Sequence, residues 1–377
     1  MVNERMRKSV WINVCESSAD AYGALLMQEL QQMCPGMRIM GMGGRAMRRQ
    51  GLETVYRAED LSLVGLTEVV TALPRIAGYL SEIKKRLRRE RPGVLVLMDA
   101  PDFNFRLARE ACRLGIPVIY YIAPQVWAWR RSRIKFLREF VHRVACIFPF
   151  EQDFFLSRGI VARYVGHPLL DLIHLPKLNL IAPQENRIAL LPGSRKKEIA
   201  SLLPVFTDVA YKLSLKRPDL SLGIVQAPGV SRDFLKRHTR DLSCLEFISP
   251  ENRHTYLKSC SMALAVSGTI TLECAILDVP AIVAYKVSWP SYLAGRMLID
   301  VPYISMPNLI LDRGVFPEFI QSRANSQELL QAAGNWLDNH GRLVEVRQEL
   351  AQIKDLLGKK TATRNTAEMI MQAMYAG

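Results

Sequence analysis

Glycine, serine and arginine stand together where an apolar run gives way to a helical pattern, in the segment LLPGSRKKEI at 190–199. Gly193 allows the backbone to approach a ligand closely, and the helix start offers N–H groups that lack partners within the helix. Arg195 adds a permanent charge whose planar fork matches phosphate oxygens, and Ser194 adds a hydroxyl. The turn therefore suits an anion, although an ordinary strand-to-helix turn fits the same pattern equally well.

The segment AVSGTITLE at 265–273 repeats this arrangement. Its apolar run ends at Ser267, Gly268 and Thr269, whose hydroxyl and N–H groups form a second candidate anion site at a helix start. Glu273 lies one turn further along, where it would reach ribose hydroxyls or simply complement the positive end of the helix. Two such turns in one half of the chain predict a nucleoside diphosphate site. It is neither a GxxxxGK loop nor a GxGxxG turn after a strand.

Two carboxylates follow a predicted strand in the segment LMDAPDFNFRLA at 97–108. A carboxylate at the end of a strand can accept the proton of an attacking hydroxyl. Asp102 suits the start of the following helix, where aspartate is a common capping residue. Asp99 lies closer to the strand and is the stronger candidate for a catalytic base.

An apolar stripe followed by a cluster of cations is found within residues 63–92. Six of the eight residues from Lys84 to Arg91 are basic. Apolar residues beside clustered cations are typical of surfaces that contact an anionic membrane. A core-facing helix followed by a solvated basic helix is equally compatible with the pattern. The stripe consists of Leu66, Val69, Val70, Leu73 and Ile76.

Trp127 and Trp129 precede a basic helical pattern within residues 120–140. Aromatic and arginine side chains can stack on RNA, but no signature of an RNA-binding module accompanies them. We therefore expect these tryptophans to pack in the core. His167, between a glycine and a proline, is interpreted as a structural histidine rather than a base.

Short apolar runs alternate with longer amphipathic stretches, which favours α/β units with parallel sheets. Strands are predicted at 10–15, 93–98, 117–122, 143–148, 187–191, 220–227, 262–267 and 280–285. Helices are predicted at 21–33, 106–114, 199–215 and 269–277, and the tail 326–376 is helical. Residues 174–186 contain two prolines and are interpreted as a linker. Ligands of such sheets bind beyond the carboxyl ends of the strands.

The length of 377 residues is enough for two α/β domains. The formal net charge of +14 favours a polyanionic partner, which can be nucleic acid, an anionic membrane surface or a phosphorylated substrate. We find neither an apolar run of transmembrane length nor a secretory signal. The seven cysteines lack metal-binding spacing, so we interpret them as buried free thiols in a reducing cytoplasm.

Seven motifs occur in the order in which lipid-A-disaccharide synthases carry them, namely MDAPDFN, APQVWAWR, FPFE, VGHPL, LLPGSR, SGTITLE and SMPNLIL. The chain resembles that family from about residue 10 to residue 320. The resemblance implies an α/β fold of the GT-B type, in which two Rossmann-like domains face each other across an interdomain cleft. Residues 1–173 would form the acceptor-binding and membrane-facing domain, and 187–345 the UDP-sugar-binding domain. Residues 346–377 would form a C-terminal helix that returns to the first domain.

The resemblance also implies an inverting transfer that requires no metal and no cofactor. UDP-2,3-diacylglucosamine and 2,3-diacylglucosamine 1-phosphate would give the β-1,6-linked disaccharide phosphate of lipid A and UDP. Asp99 matches the essential aspartate of the family, and Arg195 matches the arginine of its PGSR motif. Residues implied to bind substrate or UDP are Gly193, Ser194, Ser267, Gly268, Thr269, Glu273, Asn308, Glu16 and Ser18. The resemblance implies a location on the cytoplasmic face of the inner membrane, with the apolar stripe facing an anionic surface. It implies no nucleic-acid partner. A homodimer is compatible with it but is not required.

The segment CESSAD at 15–20 departs from the GEASGD that is usual in the family. Glu16 and Ser18 are retained, but Cys15 and Ala19 replace glycines. Either the backbone avoids positive φ here or the acceptor side is altered. Two other functions remain as alternatives. One is a different UDP-sugar enzyme of the same architecture, a 2-epimerase or a lipid-linked N-acetylglucosamine transferase, and the other is an inactive membrane- or nucleic-acid-binding homologue.

Overall fold

The computed structural model describes residues 9–62, 69–127, 132–240, 244–289, 292 and 301–375, without the side chains of 17–18, 61–62 and 69–73. The chain forms two compact units. The first contains residues 1–172 together with 357–377, and the second contains 173–356.

The first unit is built on a seven-stranded parallel sheet with the order β3-β2-β1-β4-β5-β6-β7. Its central strands β1, β4 and β5 are mostly apolar and are buried along their whole length, as expected of a parallel sheet covered on both faces. The strands are β1 (Ser9–Val14), β2 (Arg38–Gly43), β3 (Glu53–Arg57), β4 (Val94–Met98), β5 (Val118–Tyr121), β6 (Arg143–Cys146) and β7 (Ala162–Tyr164).

Helices of the first unit pack in two groups. Helices α4 to α7 all contribute side chains to one hydrophobic cluster with the sheet, whereas α1, α8 and α17 pack against one another. The helices are α1 (Ser17–Met33), α2 (Arg45–Arg49), α3 (Ala58–Ser62), α4 (Val69–Glu90), α5 (Pro101–Arg113), α6 (Arg133–Phe140), α7 (Pro149–Leu156), α8 (Pro168–Leu172) and the C-terminal α17 (Ala362–Tyr375).

The second unit contains a six-stranded parallel sheet with the order β10-β9-β8-β11-β12-β13. Its strands are β8 (Gln184–Leu191), β9 (Ser221–Val225), β10 (Leu245–Ile248), β11 (Cys260–Val266), β12 (Ala281–Tyr285) and β13 (Glu318–Ile320). Its helices are α9 (Leu175–Leu178), α10 (Lys196–Lys216), α11 (Arg232–Arg237), α12 (Arg253–Lys258), α13 (Thr269–Ile276), α14 (Met306–Leu311), α15 (Ser326–Asp338) and α16 (His340–Leu356).

Each sheet has one point at which the strand order reverses, between β1 and β4 in the first and between β8 and β11 in the second. Val14 pairs with Met98, so β1 and β4 end at the same level. Leu191 pairs with Ala265, so β8 and β11 end within a residue of each other. Ligands of open α/β sheets bind at such reversal points, beyond the carboxyl ends of the strands.

All eight predicted strands are present, with ends displaced by at most three residues. The structure adds β2, β3, β7, β10 and β13, which the sequence pattern did not predict. Apart from β2, these strands lie at the edges of their sheets. Within the described ranges, no helix combines the length and the hydropathy that crossing a bilayer requires.

Two predicted boundaries need correction. The linker predicted at 174–186 contains helix α9, and its last three residues already belong to β8. Helix α16 stays in the second unit as far as Leu356, so the return to the first unit begins at residue 357 rather than at 346. The apolar positions of α16, which include Leu343, Val346 and Leu350, are buried within the second unit and fix this boundary.

Candidate active site

Asp99 follows the last residue of β4, beside the end of β1. Its φ is 56° and that of Ala100 is 29°, values that residues other than glycine rarely adopt. This sharp turn leads into α5, which has Pro101 in its first turn. Backbone strain of this kind persists only where the surrounding structure enforces it.

Buried polar side chains enforce the strained turn. Asn104 is fully buried, and its Nδ2 donates to the carbonyl oxygens of Met98 at 2.7 Å and Asp99 at 2.9 Å. Tyr120 Oη, from the neighbouring strand β5, donates to the same Asp99 carbonyl at 2.6 Å. Asn13 Nδ2 donates to Asn104 Oδ1 at 2.7 Å, which orients the Asn104 amide. These three residues were not singled out in the sequence, because the pattern does not show which distant side chains meet at a strand end.

The Asp99 carboxylate accepts hydrogen bonds from the backbone that follows β1. The Cys15 N–H group lies 3.1 Å from both carboxylate oxygens, and the Glu16 N–H group lies 2.9 Å from Oδ2. Because a carboxylate has about four acceptor positions, these two donors leave capacity for a further hydrogen bond. The carboxylate is therefore fixed in place and still able to receive a proton.

Burial raises the pKa of the Asp99 carboxyl well above its usual range, and the negative charge of Glu16 raises it further. The N–H donors of Glu16 and Cys15 act in the opposite direction. A base works best when its pKa lies near the operating pH, so this shift favours proton acceptance. Burial, followed by the charge of Asp99, also raises the pKa of the Cys15 thiol, which therefore stays neutral beside that carboxylate.

The backbone of the CESSAD segment avoids the angles that would require glycine. Neither Cys15 nor Ala19 is among the described non-glycine residues with positive φ. Ala19 is buried in α1, and Glu16 is the exposed residue that precedes this helix. Ser18 also lies in α1, but its side chain is outside the described part of the structure. Of the two alternatives drawn from the sequence, the structure therefore supports the one in which the backbone avoids positive φ at Cys15 and Ala19.

The first glycine turn of the second unit connects β8 to α10. Gly193 has a φ of 94°, and a Cβ there would lie 2.8 Å from Val266 Cγ1 and 2.9 Å from Glu198 Oε2. Arg195 is the N-cap residue of α10, with its side chain 68% exposed and Nη1 3.0 Å from Glu198 Oε1. Ser194 is exposed beside it. An anion bound at this turn would compete with Glu198 for Arg195. The i,i+3 spacing of these two residues favours the ion pair, although the sequence analysis did not single it out.

The second glycine turn connects β11 to α13 beside the first, because β8 and β11 are neighbours. Gly268 is exposed with a φ of 155°, and no atom lies within 4 Å of where its Cβ would be. Thr269 is exposed at the first position of α13. Ser267 Oγ instead donates to the carbonyl of Ile304 at 2.8 Å. The open backbone at Gly268 and Thr269 can therefore approach an anion, whereas the Ser267 hydroxyl already has a protein acceptor.

Glu273 lies on α13 and is buried. Its Oε2 is 3.0 Å from Arg253 Nε and 3.0 Å from His254 Nε2, both at the start of α12. These contacts orient the carboxylate and offset its charge. The sequence pattern did not indicate that α12 would supply a partner for Glu273.

Asn308 is placed differently from the sequence expectation. It is fully buried, and its Nδ2 donates to Phe316 O and to Glu318 Oε1, each at 2.8 Å. Its Oδ1 accepts the Phe316 N–H at 2.8 Å. Because both ends of the amide are bound within the protein, the side chain organises the segment before β13 and is not presented to a ligand in this structure.

Trp127 belongs to a buried polar cluster. Its Nε1 donates to Glu151 Oε1 at 3.0 Å, and Glu151 Oε2 accepts the N–H groups of Ile147 and Phe148. Burial raises the pKa of Glu151 to about 7. Trp129 lies outside the described residues.

His167 is buried, and its Nδ1 accepts the Leu169 N–H at 3.2 Å. Burial lowers the pKa of His167 to about 3, so the ring is neutral near pH 7. Asp102 lies in the first turn of α5, 2.5 Å from Arg133 Nη2. The predicted role of Asp102 as a cap is wrong, because Ala100 is the N-cap residue of α5 and Asp102 instead forms an ion pair with Arg133.

Most side chains of the apolar stripe lie outside the described part of the structure. Leu66 lies outside the described residues, and Val69, Val70 and Leu73 belong to α4 with their side chains outside the description. Ile76 is partly buried and packs against the hydrophobic cluster of the first unit. Ile76 therefore faces the core, as the second interpretation of the stripe predicts.

A family model described as lipid-A-disaccharide synthetase matches residues 10–374 of the chain. The lipid-A-disaccharide synthase of Solibacter usitatus is 36% identical over 376 residues, which are 98% of each protein. That of Myxococcus xanthus is 33% identical over 371 residues, which are 96% of each protein.

Solved structures share the architecture at low sequence identity. The UDP-GlcNAc 2-epimerase from Neisseria meningitidis, bound to UDP-GlcNAc, matches with a TM-score of 0.66 and 14% identity, covering 97% of this chain and 99% of that one. MurG from Acinetobacter baumannii matches with a TM-score of 0.57 and 14% identity, covering 97% and 99%. These likenesses concern the fold alone, and they confirm the predicted α/β class of the GT-B type.

Proposed function

The chain belongs to the lipid-A-disaccharide synthetase family of glycosyltransferases, and we propose that it joins UDP-2,3-diacylglucosamine to 2,3-diacylglucosamine 1-phosphate. The products would be the β-1,6-linked disaccharide phosphate and UDP. Relatives that match nearly the full length of the chain carry the name lipid-A-disaccharide synthase. The observation that carries the mechanism is the Asp99 carboxylate, held at the reversal point of the first sheet with a raised pKa.

Asp99 acts as the general base in this proposal. It takes the proton from the acceptor 6-hydroxyl while the hydroxyl oxygen attacks the anomeric carbon of the donor. The bond from that carbon to the diphosphate oxygen breaks as the new glycosidic bond forms, so the configuration inverts. The electron pair of the broken bond leaves with UDP, and the proton stays on Asp99 until solvent removes it.

The two glycine turns of the second unit stabilise the leaving UDP. Gly193 and Gly268 let the backbone approach the diphosphate, and the first-turn N–H groups of α10 and α13 carry partial positive charge. Arg195 supplies a full charge, for which its ion pair with Glu198 must open. Preorganised donors of this kind lower the barrier because negative charge develops on the leaving oxygen in the transition state.

The remaining proposed contacts concern the sugars and the nucleoside. Glu273, oriented by Arg253 and His254, would bind ribose hydroxyls. Glu16 and Ser18 would contact the acceptor at the start of α1, next to Asp99. The buried Asn308 is left out of the set of ligand contacts.

The enzyme would work as a peripheral protein on the cytoplasmic face of the inner membrane. Both proposed substrates carry acyl chains, which belong in a bilayer. The net charge of +14 favours association with an anionic surface. Leu66→Glu and Val70→Glu would weaken vesicle binding if the apolar stripe contributes.

The direct test mixes purified protein with both diacyl sugars and follows UDP and disaccharide. We expect equal amounts of the two products, formed only when donor and acceptor are both present. UDP-N-acetylglucosamine serves as the unacylated control donor. Epimerisation of that control, with no disaccharide from the acylated pair, would identify a 2-epimerase and contradict the proposal.

A further inference from the structure

A cavity of about 470 Å³ opens between helix α6 and the turn that ends helix α7 in the first unit. Three of its six lining residues are cationic and none is acidic. It is separate from the Asp99 site, and none of the proposed substrate contacts lines it. The lining of this α6–α7 pocket consists of Ile134, Lys135, Arg138, Ser157, Arg158 and Gly159.

Carboxylates offset part of the positive charge in the basic segment of α4. In α4, Arg88 lies 2.7 Å from Glu110 and Arg89 lies 2.7 Å from Glu90, so carboxylates offset both charges. Lys135 and Arg138 are exposed on α6, and neither forms an ion pair with a carboxylate of the described residues. The lining of the pocket therefore carries positive charge without a carboxylate among its residues.

Arg158 is held in a fixed position within the pocket. Its guanidinium carbon lies 3.8 Å from the centre of the Phe154 ring, and its Nη1 donates to Phe154 O and to Ser157 Oγ at 2.9 and 3.0 Å. A Cβ at Gly159 would lie 3.5 Å from Arg138 Cδ, so the aliphatic part of Arg138 lies close to the turn. Fixed cationic groups lose little conformational entropy when they bind an anion.

Exposed apolar side chains flank the same turn. Leu156 is 49% exposed directly before Ser157, and Val161 is 59% exposed two residues after Gly159. Apolar side chains beside unpaired cations favour a bilayer surface, where the acyl region receives the former and the head groups receive the latter. A phosphate ion in solution would gain no favourable contact from Leu156 and Val161.

We propose that the α6–α7 pocket binds the phosphate head groups of anionic phospholipids and so forms a membrane contact separate from the apolar stripe. This inference rests on the proposed peripheral association and adds to it a surface and a lipid class. The pocket belongs to the helical layer that also contains α4, since α4 to α7 share one hydrophobic cluster.

The test measures partitioning of the full chain onto phosphatidylcholine vesicles with and without phosphatidylglycerol. The Lys135→Gln, Arg138→Gln double variant should bind the anionic vesicles about 25-fold more weakly, since each interfacial cation contributes about fivefold. Arg45→Gln with Arg49→Gln is the matched control, because both arginines are exposed on α2, which follows a strand near the opposite end of the sheet. This control should change binding by about twofold or less, because charges remote from the surface are screened.

Three outcomes would overturn the inference. The first is equal vesicle binding by wild type and the pocket variant. The second is an equal loss in the control variant, which would reflect net charge alone. The third is equal binding of the wild type to vesicles with and without phosphatidylglycerol, which would show that the pocket does not select anionic head groups.

A further pair of measurements separates the pocket from the catalytic proposal. Leu156→Gln with Val161→Gln should weaken binding to both vesicle types. Sugar transfer measured in neutral detergent micelles should be unchanged in all of these variants. Absence of transfer in the wild type would contradict the proposed function, while the vesicle measurements would still report on the pocket.

Discussion

The Asp99 turn in the first unit and the two glycine turns in the second lie at equivalent reversal points of their sheets, yet they are built by opposite means. Asp99 and Ala100 adopt φ values of 56° and 29° without glycine, under hydrogen bonds from buried side chains. Gly193 and Gly268 adopt φ values of 94° and 155°, which glycine accepts at little cost because it has no Cβ.

The difference follows from the chemistry that each turn suits. Asp99 is held in one position, and burial raises its pKa, as the proposed role of a base requires. An anion site has to leave backbone N–H groups accessible, so Gly268 is exposed with open space around its Cα. Substitutions in the two regions should therefore have different effects on turnover and on UDP binding.

Asp99→Asn should give the largest loss. Removing the base should lower kcat by about 10²- to 10⁴-fold, while the affinity for UDP, measured by calorimetry, stays near that of the wild type. Asp102→Asn is the control, since that exposed carboxylate contacts Arg133 and should cost little activity. Near-normal turnover by Asp99→Asn would remove Asp99 from the role of base.

Arg195→Ala should lower both the rate and the affinity for UDP. We expect a loss of about 10²- to 10³-fold in rate together with weaker UDP binding, because the charge acts on the leaving group. Arg195→Lys should recover only part of the activity, since an ammonium lacks the planar fork. Unchanged UDP affinity in Arg195→Ala would contradict a contact between Arg195 and the diphosphate.

Gly193→Ala tests the glycine turn itself. The positive φ and the close approach of Val266 should together lower the free energy of unfolding by about 2–4 kcal/mol. Gly229→Ala is the matched control, with a φ of 81° and no atom near its Cβ position, and it should cost about 1–2 kcal/mol. Equal losses in urea denaturation would show that the Val266 approach carries no cost.

Asn104→Leu tests how the strained turn is held. Loss of its buried hydrogen bonds should lower the free energy of unfolding by about 2–3 kcal/mol and reduce kcat, with UDP affinity unchanged. Tyr120→Phe, which removes one bond to Asp99 O, should cost about 1 kcal/mol and reduce kcat less. A loss of stability without any change in kcat would show that Asn104 supports the fold but does not position Asp99.

Glu16→Gln should have the smallest effect. The negative charge of Glu16 raises the pKa of Asp99, and the base is active when deprotonated. Removing that charge should move the acid limb of the pH profile of kcat/KM to lower pH, by about one unit or less because Glu16 is exposed. Arg195→Ala should leave this limb in place, and a shift to higher pH in Glu16→Gln would contradict the electrostatic argument.

How much of the fold the sequence predicts depends on where each strand lies. Central strands such as β4 are continuous apolar runs, because both faces of a parallel sheet are covered. Most of the missed strands are short edge strands, such as β3 with three exposed residues out of five. Strand β2, next to that edge, reads RIMGMG, and its two glycines weaken any strand pattern.

The sequence alone determined which residues are candidates for the chemistry, because each of their signals lies within a few neighbouring positions. An aspartate after an apolar run, and glycine turns between a strand and a helix, can be recognised at Asp99, Gly193 and Gly268 without any tertiary contact.

Only the tertiary structure decided what surrounds those residues. The Cys15 N–H group donates to Asp99 across 84 positions because β1 pairs with β4. The order of strands in a sheet cannot be recognised from a local sequence pattern. The same holds for the Arg253 contact with Glu273 and for the buried position of Asn308. The physical reason is that pKa, strain and orientation depend on which groups are brought within hydrogen-bonding distance, and packing of the whole unit sets those distances.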